Sequence, residues 1–203
     1  MLRSSGEEYH DRPTPKHQRN EAAILLSNFT LSTAILWRYH SRMDAISEAR
    51  LSLVWSGLAD KIHQLATMLE PEGFTYRVTQ GFRSWQEQDA LYAQGRTAPG
   101  EIVTNARGGE SWHCLGCAVD LAPNTAGTPA GEFVPDWNIN HPGYARMIAV
   151  GQSLGLTSGA SFIHLPDWPH LQYTNPYPVD APNDEARSIY ANEGATAFWS
   201  TLV

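Results

Sequence analysis

The run Ala118-Val119-Asp120-Leu121-Ala122 places a carboxylate in the middle of an apolar, strand-like segment. A buried charge without a partner is very costly. Any fold of this chain must therefore bring an opposite charge or a cation to Asp120. Two histidines are in view. His113 lies seven positions earlier, with glycine between, and His170 waits far downstream in Asp167-Trp168-Pro169-His170. Two imidazoles and one carboxylate make a three-ligand set with room for a water, as in a catalytic zinc site holding one ion per chain. The chain must then fold so that two distant segments converge.

The 203 residues suffice for one domain with a real core and an extra arm. A net charge of -7 argues against a general nucleic-acid binder, which needs a basic face. The many Trp and Tyr side chains suit either a core or the walls of a peptide or sugar groove. Cys114 and Cys117 form a lone C-x-x-C. A structural zinc ribbon needs a second pair, so small buried hydrophobes are the better reading.

Residues 1–21 are polar and mixed in charge, and read as disordered or loosely attached. Residues 22–37 carry no charge, but fall short of the ~20 apolar residues that span a bilayer. Two readings stay open: a signal peptide or weak membrane anchor, or an amphipathic helix lying on the domain. The expected division is an N-terminal arm over 1–47 and a catalytic domain over 48–203.

Leu51, Val54, Trp55, Leu58, Ile62, Leu65, Met68 and Leu69 recur at helical spacing, which predicts one helix from about Ile46 to Glu70. Phe74–Thr79 alternates as a strand. Ser84 and Glu87 form a capping box, so a helix follows to about Ala93, closed by Gly95. Arg83 sits between that strand and that helix N-terminus, a place that suits either a bound carboxylate or oxyanion or a structural salt bridge. Residues 123–142 read as a surface loop and Tyr144–Leu154 as a helix. His170–Tyr173 reads as a strand with His170 and Gln172 on one face, and 184–202 as a helix broken near Gly194.

Metal-assisted hydrolysis also needs a general base near the attacking water. Asp167, three residues before His170 and stiffened by Pro166 and Pro169, is the best candidate. His164 competes with His170 as ligand; His170 is preferred because it opens a strand-like run. His63 and His141 read as ordinary flank and loop residues. No H-E-x-x-H and no G-x-S-x-G is present, which excludes a thermolysin-type helix and disfavours a serine nucleophile elbow.

The sequence Thr79-Gln80-Gly81-Phe82-Arg83-Ser84, then Glu87-Gln88, Leu91–Thr97, Ser111-x-His113, Gly116-x-Ala118-x-Asp120 and Asp167-x-Pro169-His170, resembles the zinc peptidases of bacterial cell walls. These are the D-alanyl-D-alanine carboxypeptidases and the L-alanyl-D-glutamate endopeptidases. The resemblance covers about residues 48–200, and Leu91–Gly100 lies nearer the endopeptidase branch, which includes phage endolysins. It implies an α+β fold of the hedgehog/D-Ala-D-Ala peptidase type, with helices flanking a small antiparallel sheet that holds a single zinc. It implies His113, Asp120 and His170 as ligands, Asp167 as catalytic base and Arg83 on the substrate carboxylate or oxyanion. Ser111 and Gln88 match motif positions near the site and are expected to touch substrate. The expected partner is the peptidoglycan stem peptide, cut at L-Ala–D-Glu; removal of terminal D-Ala and a non-catalytic zinc-containing binding module are the alternatives. A monomer is expected, in the cell envelope or held in the cytoplasm until release, as for an endolysin. Cys114 and Cys117 depart from the family pattern and imply a site sensitive to oxidation.

Overall fold

Four short antiparallel strands carry the site in a computed structural model that describes residues 43–203. The expectations for residues 1–42, including the apolar stretch 22–37, lie outside the described residues. The strands are β1 (Tyr76–Gln80), β2 (Ala118–Pro123), β3 (Thr157–Ser158) and β4 (His170–Gln172), in the order β1-β2-β4-β3. β2 is therefore paired on both edges, and its apolar run follows from that position. The register sets Asp120 opposite Gln80 on one side and His170 on the other. Val119 and Leu121 are fully buried.

Helices flank the sheet: α1 (Ala45–Leu51), α2 (Ser56–Leu69), α3 (Trp85–Ala93), α4 (Pro142–Ser153), α5 (Asp184–Glu193) and α6 (Ala195–Trp199). The fold is α+β, as expected. Leu58, Ile62, Leu65 and Leu69 bury one stripe of α2, which packs on α4. Gly151 of α4 lets Leu65 and Leu171 meet the helix closely. Among the described residues, no helix is long and apolar enough to cross a membrane.

The single helix predicted over 46–70 is in fact two. At the break, Trp55 N–H leaves the helical ladder and donates to Gly116 O at 2.8 Å, and the indole packs on Tyr173 with ring centroids 4.9 Å apart. A tertiary hydrogen bond overrides an unbroken apolar periodicity there. The folded region also starts before residue 48. Asp44 caps α1 and pairs with Arg77, while Ser47 Oγ accepts from Val78 N–H at 3.0 Å.

Candidate metal centre

His113 stands on a 3-10 turn, Trp112–Leu115, between β1 and β2. Ser111 caps that turn, its hydroxyl accepting from His113 N–H. Gly116 ends it at φ 70°, a left-handed conformation that suits glycine. Backbone contacts brace the turn from outside: Arg83 N–H donates to His113 O at 3.1 Å, and Trp199 Nε1–H to Leu115 O at 2.8 Å. Asp120 and His170 arrive on neighbouring strands.

The three side chains converge. His113 Nε2, His170 Nδ1 and Asp120 Oδ1 lie 3.2 Å from one another. They form a cluster whose ligand atoms all lie within 4.8 Å. Each imidazole has an acceptor behind it. His113 Nδ1 is 2.8 Å from Gly81 O, and His170 Nε2 is 2.8 Å from Gln172 Oε1. Each ring therefore spends its N–H outward and turns a lone pair inward. Two lone pairs and a carboxylate oxygen facing one another repel, and a cation at their centre resolves this. The donor set fits a metal such as zinc, with His113, Asp120 and His170 as ligands.

Burial opposes ionisation of Asp120, yet protonation of the imidazoles, which would turn charge and an N–H inward from His113 and His170, holds its carboxyl well below the usual range. Burial also disfavours protonated His170, but Asp120 and Asp167 outweigh it and raise its pKa. Asp167 is pushed up by burial and by the Asp120 charge.

The cluster lies on the wall of a cavity of about 730 Å³. Arg83, Ser111 and Asp167 line the same cavity. Asp167 sits at the foot of a loop whose base is closed by Gly159 O, which accepts from both Phe162 and Asp167 N–H groups. His164 lines the cavity from that loop but lies outside the three-residue cluster.

Gln88 takes a different place from the one expected. It is fully buried and absent from the cavity lining, so it cannot touch a substrate. Its Oε1 instead accepts from Arg83 Nη1 at 2.7 Å, and its Nε2 donates to Thr104 Oγ1 and Ala106 O. Gln88 aims the guanidinium. His141 is an N-cap, accepting from Gly143 N–H. Cys114 and Cys117 are free, fully buried and outside the ligand cluster. Burial raises both thiol pKa values, which leaves little thiolate and removes the reason to expect oxidation.

Two groups behind His170 escaped the sequence reading: Gln172, and the Val179 carbonyl that accepts from Gln172 Nε2 at 2.6 Å. The signal for Gln172 was its shared strand face with His170. Val179 acts through its backbone, which leaves no mark in a side-chain pattern.

Residues 52–138 match the family described as VanY: D-alanyl-D-alanine carboxypeptidase. The chain is also 40% identical over 103 residues to the peptidoglycan L-alanyl-D-glutamate endopeptidase CwlK of Bacillus subtilis, over 50% of this chain. The match spans 62% of that relative's length, under two thirds. Among solved structures, the Serratia marcescens L-Ala D-Glu endopeptidase ChiX aligns with a TM-score of 0.47 and 23% identity, covering 65% of this chain and 90% of that one. The LdcB LD-carboxypeptidase aligns at 0.45 and 18%, covering 74% and 69%. The VanY D,D-pentapeptidase of a VanB-type resistance cassette, in complex with Zn(II), aligns at 0.41 and 15%, covering 70% and 81%.

The VanY-family match includes Arg83, His113 and Asp120 and stops before Asp167 and His170. The pairing of β2 with β4 sets His170 opposite Asp120, which lies within the matched segment.

Proposed function

We propose that this chain is a zinc-dependent peptidoglycan peptidase that hydrolyses the L-Ala–D-Glu bond of cell-wall stem peptides. One observation carries the reading: three ligand atoms converge beside a large cavity, with both imidazole lone pairs turned inward. The 40% identity to an L-alanyl-D-glutamate endopeptidase supports the choice of bond. Its place of action is the cell envelope, where the substrate is.

Zinc, when bound, supplies Lewis acidity and lowers the pKa of a water to about 7. The remaining tasks fall to side chains. An Asp167 carboxylate oxygen takes the proton of the attacking water and returns it to the leaving amine nitrogen. Arg83, aimed by Gln88, holds the substrate carboxylate or the developing oxyanion. Ser111 supports the turn under His113 and presents its cavity-facing edge to the peptide.

The second reading, release of terminal D-Ala, is favoured by the description of the matching family. Digestion of purified muropeptides followed by mass spectrometry separates the two. New N-terminal D-Glu is expected; free D-Ala instead would establish the carboxypeptidase, and binding without turnover a non-catalytic module. Chelation should abolish hydrolysis and added zinc should restore it, whereas chelator-resistant hydrolysis would rule out the metal. Asp167→Ala should retain zinc and lose turnover; wall hydrolysis surviving in that zinc-loaded variant would remove Asp167 from the mechanism.

A further inference from the structure

We propose that Gln172, locked by the Val179 carbonyl, is a positioning residue that fixes the tautomer of His170 and so makes its Nδ1 available to a metal. The inference rests on the zinc reading and deepens it. His170 could place its proton on either ring nitrogen. On Nδ1 it would donate to Asp120 Oδ1, 3.2 Å away, and block the ligand position. On Nε2 it donates to Gln172 Oε1 at 2.8 Å and leaves Nδ1 open.

An amide side chain can present oxygen or nitrogen to that ring, and the Val179 carbonyl decides between them. It accepts from Gln172 Nε2 at 2.6 Å, so the amide oxygen must face His170. A flipped amide would set oxygen against oxygen at Val179 and N–H against N–H at His170. Gln172 is buried, so water does not substitute for either contact. The same carbonyl accepts from Trp112 Nε1 at 3.1 Å. Trp112 directly precedes His113, so one backbone oxygen braces the segments of both histidines. His113 needs no such side chain, because Gly81 O is already a pure acceptor.

The test uses the full chain. Nitrogen-15 NMR of the metal-free protein, at a pH where His170 is neutral, should show its proton on Nε2, and titration against a chromophoric chelator gives the zinc dissociation constant. In Gln172→Leu the proton should move to Nδ1, and the dissociation constant should rise about 10- to 100-fold, the usual effect of losing an outer partner. Gln172→Glu keeps an oxygen toward His170. It should hold the proton on Nε2 and zinc affinity near the wild-type value, even where the apo-protein melts lower than the leucine variant. A merely structural role would instead make affinity follow melting temperature across the two variants.

A neutral wild-type His170 with its proton on Nδ1, or unchanged affinity and tautomer in Gln172→Leu, overturns the proposal. If the leucine variant does not fold, the wild-type tautomer and the glutamate variant still decide. Failure of the wild-type chain to bind zinc at all would strike the proposed function rather than the role of Gln172.

Discussion

The two halves of the His113–Asp120–His170 cluster are held in different ways. The His113 half is braced mostly by backbone. Gly81 O receives the ring, Arg83 N–H holds the His113 carbonyl, and Trp55 N–H and the Trp199 indole secure the turn at Gly116 O and Leu115 O. The His170 half depends on a side chain, Gln172, and on a loop pinned at Gly159. That loop also carries Phe162, 5.5 Å from the His170 ring, and Ile163, which is 90% exposed. Backbone bracing survives most substitutions, whereas side-chain bracing is lost with one. The second half is therefore where substitutions should most readily alter metal affinity and cavity shape. The family match covers the first half only.

The largest effect should come from Asp120, which the halves share. Asp120→Ala removes the oxygen lying 3.2 Å from both ring nitrogens. Zinc affinity should fall by more than the ~100-fold that outer partners produce, and hydrolysis should reach background. Metal analysis of the purified variant checks this; a variant retaining stoichiometric zinc would mean that the two histidines do not depend on a common carboxylate.

Next comes a pair of glycines, one in each half. A Cβ at Gly116 would sit 2.9 Å from the Trp199 ring at φ +70°, a conformation costing other residues about 1–2 kcal/mol. A Cβ at Gly159 would sit 2.7 Å from Asp167 O and 2.8 Å from His170 Cβ. Neither neighbour is the end of a flexible side chain, so overpacking of about 1–3 kcal/mol is expected. Gly116→Ala should lower the melting temperature of the braced half with little change in kcat. Gly159→Ala should lower kcat out of proportion to its melting temperature, because it displaces Asp167 and His170 together. Equal ratios of kcat loss to melting loss in the two variants would erase the contrast between halves.

What the sequence could reveal follows the same division. Side-chain chemistry at regular spacing was legible: the Ser84–Glu87 capping box is present in full, and the carboxylate within the apolar run lies beside two histidines. Interactions between segments distant in the chain, above all those made through a backbone group, were not. The break between α1 and α2 comes from Trp55 N–H finding Gly116 O, a bond that no periodicity of Leu and Ile encodes. Gln88 sits at a helix position that reads as near-site, and only its burial shows that it works through Arg83. The Val179 carbonyl lies in a stretch that reads as a connection, because its contribution is an oxygen every residue owns.

The smallest effect tests an outer brace of the His113 half. Asp44 joins α1 to β1 through Arg77, and also caps α1 by accepting from Ser47 N–H. Burial works against its charge, but the Ser47 hydrogen bond and the Arg77 guanidinium outweigh it and lower the pKa from the ordinary 3.8. A depressed carboxyl pKa stabilises the fold above the unfolded value, and that contribution disappears as pH falls through the folded value. Asp44→Asn isolates the ion pair, since asparagine caps about as well as aspartate. The Asp44 side chain is 32% exposed, so the pair should be worth no more than about 1 kcal/mol. Denaturation at neutral pH should show that deficit, and it should shrink toward zero below pH 3.8. A deficit that persists unchanged into acid would assign the brace to the cap geometry of α1 rather than to the charge on Asp44.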